Sequence, residues 1–158
     1  MAKKVRSREE LLKNREQLVA DHLATHRRFQ KKPLLTKKER KVLGIGKDEG
    51  RAEAKYVRIN PLKVNAVIRN IKGKSLDDAH AILMYSPKSS SPVLAKLLRS
   101  AEANAVNNNN LNRDNLYIAE LYANEGPTLK RIRARARGSA TRILKRTSHI
   151  TCVLRERE

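Results

Sequence analysis

The stretch that most constrains this chain is residues 126–155, GPTLKRIRARARGSATRILKRTSHITCVLR. It holds nine basic residues, Lys130, Arg131, Arg133, Arg135, Arg137, Arg142, Lys145, Arg146 and Arg155, and no Asp or Glu. Arg131, Arg133, Arg135 and Arg137 alternate with Ile132, Ala134 and Ala136. Alternation is the period of an extended strand, so four guanidiniums are expected on one side of the backbone. Gly138-Ser139 interrupts the run, and the strand-like segment 147–154 follows. The pattern predicts a long β-hairpin over about 126–150 that folds back near Gly138. An arm this basic has little apolar surface to bury against its own protein and calls for a polyanion.

The whole chain agrees. Its 158 residues favour one domain with a tail. Lys and Arg number 36 against 16 acids, a formal charge of +20. Such a charge repels itself in the compact state and makes nucleic acid the first partner to consider, ahead of an anionic membrane surface. Phe29 and four tyrosines are the only aromatics, so a stacking platform for single strands is poorly supported. Backbone and shape contacts to folded nucleic acid fit better. A single cysteine, Cys152, excludes an intrachain disulfide framework and suits a reducing compartment. No apolar run has the length of a membrane span. The N-terminus lacks the apolar core of a secretory signal, and Glu9, Glu10 and Glu16 do not suit an acid-poor transit peptide.

Residues 1–50 carry 15 basic and 7 acidic side chains, a net of +8, and read as a basic, part-helical extension. Ser7 and Glu10 have capping-box spacing, and Leu11, Leu12, Leu18, Val19 and Leu23 make one stripe, predicting a helix from about Arg8 to Arg27. Pro33 breaks the pattern. Thr36 and Glu39 form a second capping box, with Gly44 as the stop; Gly44, Gly46 and Gly50 read as a flexible joint. Residues 51–158 read as the core domain. A strand is expected near 55–59, and Asn60-Pro61 starts a helix with Val64, Val67, Ile68 and Ile71 on one face. Leu76, Ala79, Ile82 and Leu83 mark a second helix; Val93, Leu94, Leu97, Leu98, Ala101 and Ala105 mark a third, which the run 107–110 should end. Residues 116–123 read as a strand. The fold class is α+β: three helices on a small antiparallel sheet, a long protruding basic β-hairpin, and an N-terminal helical extension.

Each candidate site has a plain alternative. The basic run could be a solvated face, but the missing acids and the Gly-centred alternation oppose that. Arginine suits phosphate because its planar fork bridges two oxygens. Thr147 and Ser148 could add hydroxyl bonds. Arg58 and Lys63 flank a helix start, where a phosphate would also meet backbone N–H groups; the alternative is two ordinary surface charges. Lys72 and Lys74 at a helix end complement its dipole. His22 and His26 have metal-binding spacing without a third ligand and read as surface residues. Asp77 and Asp78 are adjacent and diverge, which suits helix capping better than acid–base chemistry. Cys152 reads as a small core residue and His149 as a structural hydrogen-bonding partner. No active site, metal or cofactor is expected.

Several segments together resemble a known family. AKYVRINPLKV (54–64), GKSLDDAHAIL (73–83), SAEANAVNN (100–108), DNLYIAELYANEGPTLKR (114–131) and RARGSATRILKRTSHIT (135–151) look like the bacterial form of the universal large-subunit ribosomal protein twenty-two family, in family order and spacing. The resemblance implies a structural role with large-subunit (23S-type) rRNA and neighbouring ribosomal proteins as partners, a cytoplasmic ribosomal location, and no homo-oligomer. It implies a body near the polypeptide exit and a hairpin that lines the narrow part of the tunnel, beside the nascent polypeptide and opposite another ribosomal protein's loop. Macrolide resistance in the family is tied to positions corresponding to Leu129, Lys130 and Arg131. Two departures stand out: Leu62 occupies a position that is basic in many relatives, and the first 50 residues lie outside the family pattern. Without the resemblance, an architectural double-stranded nucleic-acid-binding protein is the alternative.

Overall fold

A computed structural model describes residues 6–24 and 35–157, apart from the side chain of Leu23. The expected helix end at 25–27, Pro33 and His26 lie outside the described residues. The chain divides into two compact units, Met1–Lys47 and Asp48–Glu158.

In the first unit, both capping boxes form. The Ser7 hydroxyl accepts the Glu10 N–H at 3.3 Å while the Glu10 carboxylate accepts the Ser7 N–H at 3.1 Å, starting α1 (Arg8–Lys13). The expected continuous helix breaks at Asn14 (φ −105°, ψ 25°), and α2 (Arg15–Ala24) follows. Asparagine competes with helix by bonding locally, and this interruption leaves Leu12 exposed rather than on a buried stripe. In α3 (Lys37–Leu43), Glu39 accepts the Thr36 N–H at 2.6 Å and Thr36 accepts the Glu39 N–H at 3.3 Å. Gly44 closes this helix in the left-handed region, φ 74°. Glu39 is only 3% exposed, yet its pKa is lowered, first by the Thr36 backbone bond and against the effect of burial. Leu11, Leu35 and Leu43 form a small buried cluster with Leu18 and Ile45 packed on it.

The second unit holds a three-stranded antiparallel sheet, order β1 (Gly50–Val57), β5 (Ser148–Glu156), β2 (Leu116–Glu125). Helices α4 (Pro61–Ile71), α5 (Leu76–Tyr85) and α6 (Ser91–Ala103) supply the expected apolar faces to its core. β1 starts earlier than its strand-like residues suggest. A Cβ added to Gly50 would lie 2.5 Å from Ala105 Cβ and 2.8 Å from the Ala101 carbonyl oxygen, so this glycine is a packing residue, not part of a flexible joint. Ile150, Cys152 and Leu154 of the central strand are fully buried among helix side chains. Burial pushes the Cys152 thiol pKa up to about 12, consistent with a core role.

The asparagine-rich run ends the third helix, as expected, by way of a change in helix type. The chain continues as a π-helical turn over Asn104–Asn108 and ends at Asn110, φ 56°. The reason lies in the side chains. Asn104 donates to the Arg51 carbonyl at 2.8 Å and Asn109 to the Glu49 carbonyl at 2.7 Å, tying the helix end to the start of edge strand β1. At the opposite edge, Asn65 of α4 accepts the Ala123 N–H and donates to the Ala123 carbonyl, both at 3.2 Å, imitating a paired strand. Gly73 and Lys74 extend that imitation by bonding both backbone groups of Ile118 at 3.0 Å. Polar backbone groups at both edges are thus engaged, a defence against strand addition.

Candidate nucleic-acid interface

The arm is a separate two-stranded ladder, β3 (Leu129–Ala134) against β4 (Ala140–Lys145). Leu129 pairs with Lys145 and Ala134 with Ala140, placing the fold-back around residue 137, as the sequence predicts. The register slips by one residue between Ile118 and Glu120, and again where Gly126–Thr128 face Arg146 and Thr147. Both extra residues lie on the outgoing strand, where bulges increase twist and turn the arm away from the body's pleat.

The expected arginine face forms for three of its four members, Arg131, Arg133 and Arg135. Only Arg131 and Arg133 lie in the strand, on one face with Leu129 and with Thr141, Ile143 and Lys145 opposite. The other face carries Lys130, Ile132 and Ala134 with Ala140, Arg142 and Leu144. Arg135 follows in extended backbone (φ −123°, ψ 176°) and its Nε donates to Thr141 Oγ1 at 3.3 Å, on the same face as Arg131 and Arg133, whereas Arg137 belongs to the tip. The tip closes when the Arg135 N–H donates to the Ser139 carbonyl at 2.8 Å, and both Arg137 (φ 57°) and Gly138 (φ 68°) adopt left-handed backbone. Alternation thus persists in space through Arg135 and fails at Arg137, where the backbone turns left-handed. Cations therefore radiate from both faces and the tip, and every residue from Leu129 to Lys145 is exposed.

The root is clamped. The Gly126 N–H donates to the Thr147 carbonyl at 2.9 Å, and the Thr147 hydroxyl donates to the Pro127 carbonyl at 2.7 Å. Thr147 and Ser148 are buried, so the expected hydroxyl bonds to a ligand do not form. A Cβ on Gly126 would lie 2.5 Å from Thr147 Oγ1 and 3.1 Å from His149 Nε2. His149 Nδ1 accepts the Tyr56 N–H at 3.1 Å, and the two rings meet edge to face at 4.8 Å between centroids. That bond explains how exposed Tyr56 holds φ 57° at the bulge of β1, and it is the structural role expected of His149.

Arg58 and Lys63 approach the arm. With Asn60, Leu129, Leu144, Lys145, Arg146 and Thr147 they line an open cleft of about 450 Å³ at its root. Free backbone donors are not what this helix start offers. Pro61 has no N–H, Asn60 Oδ1 accepts the Leu62 N–H at 3.0 Å, and the Asn60 carbonyl accepts the Lys63 N–H at 3.0 Å. Any anion there meets side-chain cations. Leu129 and Leu144, on opposite faces of the ladder, both reach the cleft at its root.

Charge is segregated within the second unit. Residues 130–146 hold eight basic side chains and no acid; the rest of residues 48–158 holds 13 basic and 11 acidic side chains, a net of +2. The body's charges pair internally. Arg113 bridges Glu102 at 2.6 Å and Asp77 at 3.1 Å, which raises its pKa, and Arg155 pairs with Glu49 to the same effect. Asp78 accepts from Ser75 at 2.6 Å beside the helix start, so neither adjacent aspartate is positioned as a catalytic acid. Among the described residues, no arm cation lies within ion-pair distance of a carboxylate, and no cluster could hold a metal ion. Lys72 is the residue at which α4 ends, its backbone N–H donating to the Ile68 carbonyl at 2.9 Å. Also among the described residues, no helix is long and apolar enough to cross a membrane.

A near-neutral α+β body holds out an exposed cationic hairpin, the arrangement of a protein whose arm is built to meet a polyanion. The sequence profile of the family described as Ribosomal protein L22p/L17e matches residues 52–155. The large ribosomal subunit protein uL22 of Acetivibrio thermocellus is 66% identical over 124 residues, 78% of this chain and 99% of that protein. The protein of the same name from Clostridium novyi is 56% identical over 109 residues, 69% of this chain and 98% of its own. That of Clostridium kluyveri is 54% identical over 110 residues, 70% and 99% of the two chains. The chain belongs to the L22p/L17e family of ribosomal proteins. It is a structural, non-enzymatic constituent of the large ribosomal subunit, with ribosomal RNA and ribosomal proteins as its partners.

Proposed function

We propose that the β3–β4 arm is the main rRNA-binding element, with residues 51–158 acting as the ribosomal core and residues 1–50 as an added extension. Lys130, Arg131, Arg133, Arg135, Arg137, Arg142, Lys145 and Arg146 neutralise phosphates converging on the arm from several directions. Arg58 and Lys63 contribute at the cleft beside its root. The observation carrying this reading is the segregation of charge: eight exposed, unpaired cations project from a body of net +2. Cations on both faces suit an arm surrounded by RNA, holding several segments against each other, better than an arm laid on one surface. The tip, with Leu129, Lys130 and Arg131 further back, borders the path of the nascent polypeptide in the exit tunnel.

The test is the salt dependence of binding between the purified protein and large-subunit rRNA. Neutralising six phosphates should give a log–log slope on the order of −4 to −5. A nearly flat response would overturn the mechanism. Equal competition by bent duplex DNA would instead favour a general architectural nucleic-acid binder.

A further inference from the structure

The first unit lies outside the residues matched by the family profile, 52–155, although the 124-residue match to the Acetivibrio thermocellus protein is long enough that it must include α3. Its charge is divided between its helices. Residues 8–24, spanning α1 and α2, hold three basic and four acidic side chains, a net of −1. Residues 36–47 hold Lys37, Lys38, Arg40, Lys41 and Lys47 against a single acid, Glu39, a net of +4. That acid is withdrawn from the surface. Glu39 is 3% exposed and spends its oxygens on the Thr36 N–H at 2.6 Å and the Arg6 N–H at 3.3 Å. Its pKa is lowered, so it keeps its charge turned inward.

The packing of α3 then sorts its residues. Glu39 and Leu43 face the small core beside Leu11 and Leu35, while Lys37, Lys38 and Lys41 are exposed. Positions 37 and 41 are four apart and 38 and 41 three apart, so the three ammonium groups share one helix face. Their stems stand about 5–6 Å from one another at Cβ. A solvated helix would gain from Glu–Lys pairs at these spacings. No acid stands three or four positions from any of these lysines; Glu39, the one carboxylate of α3, is one or two positions away and is turned inward. The capping box defines α3 and keeps its carboxylate inward, so the charged groups on the outer face, beside exposed Val42, are all cationic.

We propose that the outer face of α3, Lys37, Lys38 and Lys41 with Lys47 following, is a second RNA-binding surface of this chain, directed at the phosphate backbone of folded rRNA. Lysines on a short helix act as point charges and read no base sequence, so the ligand is phosphate arranged on a helical RNA strand. The inference goes beyond the arm and does not depend on which arm residues touch RNA.

The experiment uses the full-length protein and large-subunit rRNA. The triple variant Lys37→Gln, Lys38→Gln, Lys41→Gln retains Thr36, Glu39 and Leu43, and circular dichroism should match the parent. Its log–log salt slope should fall in magnitude by about 2–3, near one for each phosphate no longer neutralised. The variant Lys13→Gln with Arg15→Gln, on the acid-balanced helices, should lose less than half as much per charge. In assembled large subunits, Lys37, Lys38 and Lys41 should resist acetylation until the RNA is digested. An unchanged slope, or protection that survives RNA digestion because a protein covers the lysines, would overturn the proposal. Arg131→Gln with Arg133→Gln runs alongside: loss of slope there with none in the α3 variant rejects this inference alone. The reverse result rejects the arm as the main RNA-binding element.

Discussion

At the scale of single residues, the fold depends on polar side chains that stand in for missing strand neighbours. Asn65 is the clearest. It satisfies the N–H and the carbonyl of Ala123 at once, at 3.2 Å each, on an edge strand beside the root of the arm. Leucine would fill a similar volume but leave two partly buried backbone groups without partners. Asn65→Leu should destabilise the free protein by about 2 kcal/mol, measured by urea unfolding, because each orphaned group costs about 1–3 kcal/mol and water recovers part of it. A loss below about 0.5 kcal/mol would mean that solvent replaces the amide fully. None of this was legible in the sequence: Asn65 sits between apolar positions with no spacing that marks it. Gly50 and Gly126 were similarly opaque. Their glycines answer to atoms more than twenty residues away, Ala105 in one case and Thr147 in the other.

At the scale of elements, the sequence was informative where local chemistry decides and misleading where strand ends decide. Both capping boxes, the Asn60-Pro61 start and the apolar faces of α4, α5 and α6 were readable because three to eleven neighbouring residues determine them. The fold-back near Gly138 was readable from one left-handed turn and the length of the flanking strands. The departure of Arg137 from the arginine face was not, since alternation says nothing about where the turn begins. The arm's alternation has a further consequence. Removing residues 129–131 deletes an odd number from β3, so retained residues swap faces relative to β4 or the ladder must re-register. The body's sheet lies beyond the clamp at Gly126 and Thr147, so thermal unfolding of the free variant should change little. Ribosomes carrying it should show altered macrolide sensitivity with near-normal yields of large subunits. Defective subunits with unchanged drug response would contradict the assignment of this segment to the tunnel side of the arm.

At the scale of the whole molecule, the net charge of +20 resides almost entirely outside the body. The first unit, Met1–Lys47, holds 15 basic and 5 acidic residues, a net of +10, and the arm adds +8. The body at +2 is close to balanced and carries the large apolar core. That charge sits on the parts with the least core: an arm with every ladder residue exposed, and a unit with three buried leucines among its described residues. This separation makes salt act with opposite sign on two observables. In free protein, like charges repel, and salt screens them over a Debye length of about 10 Å at 0.1 M. Raising KCl from about 50 to 500 mM should therefore stabilise the free chain, by an increment on the order of 1 kcal/mol and a few degrees in Tm. Over the same range its affinity for rRNA should fall by several orders of magnitude, because released counterions drive that binding. Differential scanning calorimetry and filter binding on one preparation would test both arms. A Tm that falls with salt while binding weakens would mean that internal ion pairs such as Arg113 with Glu102 and Asp77 dominate the free protein. Opposite signs would mean that its charge is distributed for the bound state, with RNA supplying the anions that the sequence omits.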